Sequence, residues 1–239
     1  MSEWESAKFE KTQWSLVLAA GENGLTRDGE DALDLLLTKY RPPLVTYSRK
    51  LGYGPEEAED LVQDFIQRLL RRGDIAHLSP EKGKFRTFLK AALANFLRND
   101  VEKRNAAKRG GGVEFTPIGV EEAEGIPARG SSSNLSPDEA CDQHWRRIVI
   151  TSAIGELRGQ CKARGKGPLF EALLPCLSGP DAEDYARIAG QLGLTQNTIR
   201  VTVFRLKKEL SDLIDDEIRK TVGSHSSFQE ERREFYRTS

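Results

Sequence analysis

Residues 184–210 read Asp184-Tyr185-Ala186-Arg187-Ile188-Ala189-Gly190-Gln191-Leu192-Gly193-Leu194-Thr195-Gln196-Asn197-Thr198-Ile199-Arg200-Val201-Thr202-Val203-Phe204-Arg205-Leu206-Lys207-Lys208-Glu209-Leu210. The stretch predicts two short helices meeting at a tight turn. Gly193 supplies the positive φ that such a turn needs. Thr195 is a good N-cap for the second helix, and Ala189 is small enough for two helices to cross closely. At 100° per residue, Ile199, Val203, Leu206 and Leu210 share one stripe, the expected buried face. Gln196, Asn197, Arg200, Val201, Phe204 and Lys208 fall opposite or beside it. This is the helix-turn-helix pattern, whose second helix enters a DNA groove. Asn and Gln pair with adenine and Arg with guanine through two hydrogen bonds. For Phe204 the pattern leaves two roles open: packing under a neighbouring helix, or meeting thymine methyls and sugar edges.

Outward from this stretch, the charge is sharply segregated although the 239-residue chain totals 36 Lys+Arg against 37 Asp+Glu. Gly193 to Lys208 holds four basic residues (Arg200, Arg205, Lys207, Lys208) and no acid. Glu81 to Gly112 holds nine basic residues (Lys82, Lys84, Arg86, Lys90, Arg98, Lys103, Arg104, Lys108, Arg109) against Glu81, Asp100 and Glu102, a net +6. Val113 to Asp142 holds seven acids and one Arg, a net −6. A phosphate backbone responds to the local field, not to the sum over the chain.

The acidic stretch is also a break in composition. Gly110-Gly111-Gly112 opens it, and Pro117, Pro127, Gly130-Ser131-Ser132-Ser133 and Pro137 follow, with few apolar residues between. It cannot bury enough surface to offset chain entropy and reads as a flexible linker. The expected organisation is an N-terminal extension over 1–30, a helical domain over 31–112, the linker over 113–136, a second helical domain over 137–222 and a tail over 223–239.

Both domains read as all-α. Leu33, Leu36, Leu37, Tyr40, Leu44 and Tyr47 recur at helical spacing, with a kink or break expected at Pro42-Pro43. Pro55 opens a second helix, with Glu56, Glu57 and Glu59 suited to its positive end. A third helix runs from about Lys84 to Lys108. In the second domain, helices are expected from Pro137 to about Arg164 and around Leu169 to Leu177. The run Glu230-Glu231-Arg232-Arg233-Glu234-Phe235-Tyr236 predicts a short helix in the tail.

Other function classes find little support. His77, His144 and His225 have no partners at catalytic spacing, and no glycine-rich phosphate loop follows a strand, so an enzyme is not expected. Cys141, Cys161 and Cys176 form no CxxC pair, so neither a zinc site nor a disulfide scaffold is expected, and no cofactor is. The longest apolar runs fall far short of a bilayer span, and Glu3, Glu5 and Glu10 precede Leu16-Val17-Leu18-Ala19-Ala20 where a signal peptide would be basic. A cytoplasmic protein with no membrane insertion is expected.

Three further stretches carry a resemblance. Glu57-Ala58-Glu59-Asp60-Leu61-Val62-Gln63-Asp64-Phe65-Ile66-Gln67-Arg68-Leu69-Leu70 resembles the core-polymerase-binding helix in region 2 of bacterial sigma factors. Phe85-Arg86-Thr87-Phe88-Leu89, through Asn95-Phe96-Leu97 to Lys103-Arg104, resembles the segment that melts and reads the −10 promoter element. Tyr185 to Leu210 resembles region 4, which reads the −35 element. Nothing like the middle regions of housekeeping sigma factors lies between, a layout similar to the extracytoplasmic-function (ECF) class of the sigma-70 family. Trp14-Ser15-Leu16-Val17-Leu18, Lys108-Arg109-Gly110-Gly111-Gly112 and the C-terminal extension resemble a subgroup common in planctomycetes.

The resemblance implies a sigma factor that binds core RNA polymerase and promoter DNA and directs transcription initiation. It places Asp60, Gln63, Asp64, Gln67 and Arg68 on the polymerase, and Asn95, Arg98, Asn99 and Lys103 at the −10 element. Gln196, Asn197, Arg200 and Arg205 fall at the −35 element, with Lys207 and Lys208 on phosphates. It also implies an anti-sigma factor or similar regulator as a partner. Phe85 and Phe88 occupy aromatic positions where bases can stack, although packing in the core is their expected role here. Asp100 and Glu102 depart from the family's usual basic character. They motivate the alternative of a helix-turn-helix regulator that binds DNA without engaging polymerase.

Overall fold

The computed structural model describes residues 27–71, 85–108, 135–178, 182–222 and 225–237. Among them every regular element is helical: α1 (Arg27–Lys50), α2 (Pro55–Arg71), α3 (Phe85–Lys108), α4 (Pro137–Ala163), α5 (Gly167–Leu173) with a 3-10 turn (Leu174–Ser178), α6 (Ala182–Leu192), α7 (Gln196–Arg219) and α8 (His225–Arg237). The N-terminal opening around Trp14 and positions 113–134 of the expected linker over 113–136 lie outside the described residues, as do Lys82, Lys84 and His77.

Two compact units result. The first gathers the described residues up to Arg147 together with Arg219 onward, and the second spans Ile148–Ile218. These bounds differ from the division drawn on composition, because the start of α4 and the whole of α8 cluster with α1–α3.

In the first unit, α1 runs unbroken through Pro42 and Pro43, where a kink or break was expected. Two prolines remove two backbone donors, yet Leu37, Tyr40, Leu44, Val45 and Tyr47 are all buried on either side of them. Burying each such side chain stabilises by about 1.5–3 kcal/mol, enough together to hold the helix through the lost bonds. Gly52, at φ +97°, ends the α1 region and turns the chain. Pro55 then opens α2, with Glu56 and Glu57 in its first turn. On α3, Leu89, Leu93 and Leu97 repeat at i, i+4, i+8 and are buried. The rings of Phe65 and Phe96 meet at 5.8 Å.

The start of α4 is held by a capping box. The Glu139 carboxylate accepts from the Ser136 backbone N–H at 2.9 Å, and the Glu139 N–H donates to Ser136 Oγ at 3.3 Å. The Ser136 backbone N–H first, and then its hydroxyl donating to the same carboxylate, hold the Glu139 carboxyl below its ordinary range.

The second unit closes on one core. Leu157, Cys161, Phe170, Leu173, Cys176, Ile188, Ala189, Ile199, Val203 and Leu206 are buried together, with Ile154, Leu169, Tyr185 and Leu210 packed at its edge. Two exposed ion pairs, Arg158–Glu171 and Arg164–Glu209, tie its helices across the surface. Being exposed, they add little to stability.

Candidate functional site

The geometry of α6 and α7 follows from three residues between them. Gly193 sits at φ +65°, and the Leu194 N–H donates back to the Ala189 carbonyl at 3.0 Å, closing α6. Thr195 caps α7: its Oγ1 accepts from the Thr198 N–H at 3.1 Å. With the helix start fixed, Ile199, Val203 and Leu206 point into the core.

The other side of α7 is open. Gln196, Asn197, Arg200, Arg205, Lys207 and Lys208 are all exposed. The Arg200 guanidinium lies 5.6 Å from the Tyr185 ring centroid, which steadies it without neutralising it. Among the described residues no ion pair engages Arg205, Lys207 or Lys208. Phe204 is 71% exposed and Val201 41%, so Phe204 does not pack beneath a neighbour as one sequence reading allowed. The face is therefore cationic, amide-bearing and partly apolar, the mixture that base edges, thymine methyls and phosphates engage.

α2 presents a second surface. Asp60, Gln63, Asp64, Gln67 and Arg68 occupy one stripe at helical spacing and are all exposed. Ala58, Leu61, Val62, Phe65 and Leu69 are buried on the other side. The Arg68 guanidinium rests 5.5 Å from the Phe96 ring centroid, linking this surface to α3.

On α3, Asn95, Arg98 and Asn99 are exposed. Arg98 Nη1 donates to Asn95 Oδ1 at 3.0 Å, so the two act as a pair. The Lys103 side chain lies outside the described residues. Glu102 is exposed, whereas Asp100 is half-buried. Phe85 is buried edge-on against Tyr40, with ring centroids 5.2 Å apart, which gives it the core role expected of it. Half-buried Phe88 stacks beside Phe85 at 6.4 Å.

The beginning of α3 departs from the expected basic surface. Lys90 Nζ is 2.9 Å from Asp138 Oδ1 and 3.0 Å from Asp142 Oδ1. Burial pulls its pKa down, but these bonds and charges outweigh burial and leave it raised. Arg86 is buried and paired with Asp142 and Glu231. Both cations are taken up internally by carboxylates that sequence separation hid. The +6 counted along this stretch therefore overstates the charge α3 offers to a ligand.

Cys141, Cys161 and Cys176 are free and buried, and burial first, then Asp142, pushes the Cys141 thiol up to about 12. Among the described residues no cluster of three His, Cys, Asp or Glu side chains is arranged to hold a metal. No helix among them is long and apolar enough to cross a membrane.

Compared with known families, residues 36–107 match the model of Sigma-70 region 2. Neither the comparison with curated proteins nor that with solved structures returns a match. The match spans α2 and nearly all of α3, the two helices that carry the α2 stripe and the Asn95–Arg98 pair.

Proposed function

We propose that this chain, whose residues 36–107 match the model of Sigma-70 region 2, is a non-enzymatic, two-domain sigma factor of the ECF layout that recognises promoters with RNA polymerase. Residues 31–112 act as region 2, 113–136 as the linker and 137–222 as region 4. The planctomycete-like subgroup is part of the same reading, and rests on the Trp14–Leu18 opening, the Lys108–Gly112 run and the C-terminal extension.

In this reading the α2 stripe of Asp60, Gln63, Asp64, Gln67 and Arg68 grips the core polymerase. Asn95, Arg98, Asn99 and Lys103 approach the −10 element. Gln196, Asn197, Arg200 and Arg205 read the −35 element, and Lys207 and Lys208 hold its phosphates. The observation that supports it most is the α7 face: exposed, free of acids from Gln196 to Lys208, and aimed by the Thr195 cap. A region 2 domain and a groove-reading helix in one chain suit a protein that touches a promoter at two places.

Run-off transcription with core polymerase on genomic fragments tests the proposal. Promoter-specific transcripts that require this protein are expected. DNA binding with no capture of core polymerase would instead establish the regulator that binds DNA alone.

A further inference from the structure

At the centre of the first unit lies a charge. Arg86, in the first turn of α3, has a side chain only 7% exposed. A buried guanidinium is tolerated where its charge and its N–H groups are matched. Its partners come from two distant segments. Nη1 lies 2.9 Å from Asp142 Oδ1 on α4, and Nη2 lies 2.8 Å from Glu231 Oε1 on α8, with Glu234 Oε2 at 3.7 Å. The guanidinium also stands 4.3 Å over the Trp145 ring.

The apolar contacts repeat this convergence. Phe235 of α8 meets Trp145 edge-on, with centroids 5.8 Å apart. Tyr40 of α1 is buried, and its hydroxyl is hydrogen-bonded by the side chains of Trp145 and of Thr221, just past α7. Phe228 is buried, and the Arg219 guanidinium lies 4.5 Å from its ring centroid. Phe228, Glu231 and Phe235 fall on one face of α8 and are buried, while Gln229, Glu230 and Arg233 are exposed. A 13-residue helix of such polar sequence is marginal in water by itself. Its seat is what folds it.

We propose that α8, with Arg219 and Thr221 beside it, is a C-terminal brace of the first unit. The face formed by α1, the first turn of α3 and the start of α4 is a docking surface whose occupant is this chain's own terminal helix, keyed by Glu231 to Arg86. The brace makes the order of the N-terminal helices depend on the last residues of the chain. It also withdraws Arg86 from the cations that can meet a polyanion. Neither consequence requires the polymerase or promoter assignments above.

Amide hydrogen exchange on the full-length chain tests this, with no ligand present. In Glu231→Gln, protection of the Phe85–Leu97 amides should fall at least about tenfold, while Ile188–Leu206 stays as in the parent chain. A chain ending at Val222 should show the same pattern. If it precipitates, the full-length variants decide. Arg86→Met combined with Glu231→Leu removes both charges and should recover most of the lost protection. Protection of Phe85–Leu97 within about twofold of the parent in Glu231→Gln would overturn the brace. So would a double variant as loose as the single one.

Discussion

The Arg86 guanidinium lies over Trp145, Cζ 4.3 Å from the ring centroid, with Phe235 edge-on to the same indole. One aromatic side chain thus supports a buried cation from α3 and an aromatic from α8. Trp145→Ala should destabilise the first unit by about 3–5 kcal/mol, the range for truncating a large buried aromatic. Trp145→Phe keeps a ring under Arg86 but loses the indole N–H at Tyr40, and should cost about 1 kcal/mol or somewhat more. Urea unfolding, followed by a probe confined to the first unit, measures both. Equal losses would mean that the ring contributes nothing.

The turn before α7 sets a second expectation. A Cβ built on Gly193 meets nothing within 4 Å, so Gly193→Ala is penalised only by the φ of +65°, about 1–2 kcal/mol. Gly193→Asn should cost less, because Asn tolerates that region. Thr195→Ala removes the oxygen that accepts from the Thr198 N–H and should cost about 1 kcal/mol. Thermal unfolding of the second unit reports all three.

Which parts of this architecture were legible in the sequence follows from the range of the interactions. Helical period and caps are local, so the α6–α7 turn, the Ile199–Val203–Leu206 stripe and the α2 face could be read directly from spacing. The Arg86 cluster could not. Arg86, Asp142 and Glu231 become neighbours only after the chain has folded, and each looks like an ordinary surface charge in its own helix. Counting Arg86 and Lys90 as surface cations was therefore wrong for a physical reason: local charge sums ignore carboxylates delivered by tertiary contacts. Phe204 shows the opposite limit. Its helical angle left burial and exposure both open, and only the packed second unit placed it at 71% exposed. Pro42-Pro43 shows a third limit, since a local helix-breaking tendency yielded to the burial of Tyr40, Leu44 and Tyr47.

If α7 reads duplex DNA, its residues separate by salt dependence. Lys207→Ala and Lys208→Ala should each lower the slope of log Kobs against log salt by about 1, and weaken all sequences similarly. Arg200→Ala should instead cost about 1–3 kcal/mol on the preferred sequence and relax choice at one base pair. Fluorescence anisotropy at several salt concentrations, on preferred and scrambled duplexes, distinguishes the two behaviours. Identical effects on both duplexes for Arg200→Ala would remove it from base reading.

The α2 stripe is exposed on one side and backed by core residues on the other, so its chemistry can be changed without disturbing the fold. Asp64→Lys should leave unfolding free energy within about 0.5 kcal/mol of the parent. In the proposed sigma factor it should weaken capture of core polymerase by at least about tenfold, the consequence of placing a like or mismatched charge at a charged contact. Pull-down at matched protein concentrations checks the second effect and denaturant unfolding the first. Undiminished capture by both Asp64→Lys and Gln67→Glu would move the polymerase contact off this face.

The last expectation concerns pH. Thr46 Oγ1 lies 3.1 Å from the Pro42 carbonyl oxygen and 2.6 Å from His144 Nδ1. The Thr46 hydroxyl can donate to either neighbour, and the His144 tautomer decides which of the two donates across the short contact. Burial first, and then the Arg147 charge, lower the His144 pKa below its ordinary 6.5. A proton therefore binds more readily in the unfolded chain. The stabilisation from neutral His144 is fully present above pH 6.5, and it is lost as pH falls from there toward the lowered folded value. A single proton sets a ceiling of about 1.4 kcal/mol per pH unit on the slope, and partial solvent exposure keeps the effect well below that ceiling. In the first unit, His144→Asn should flatten the stability profile between pH 7 and pH 5.5 relative to the parent chain. An unchanged slope in that variant would assign the acid sensitivity to other groups.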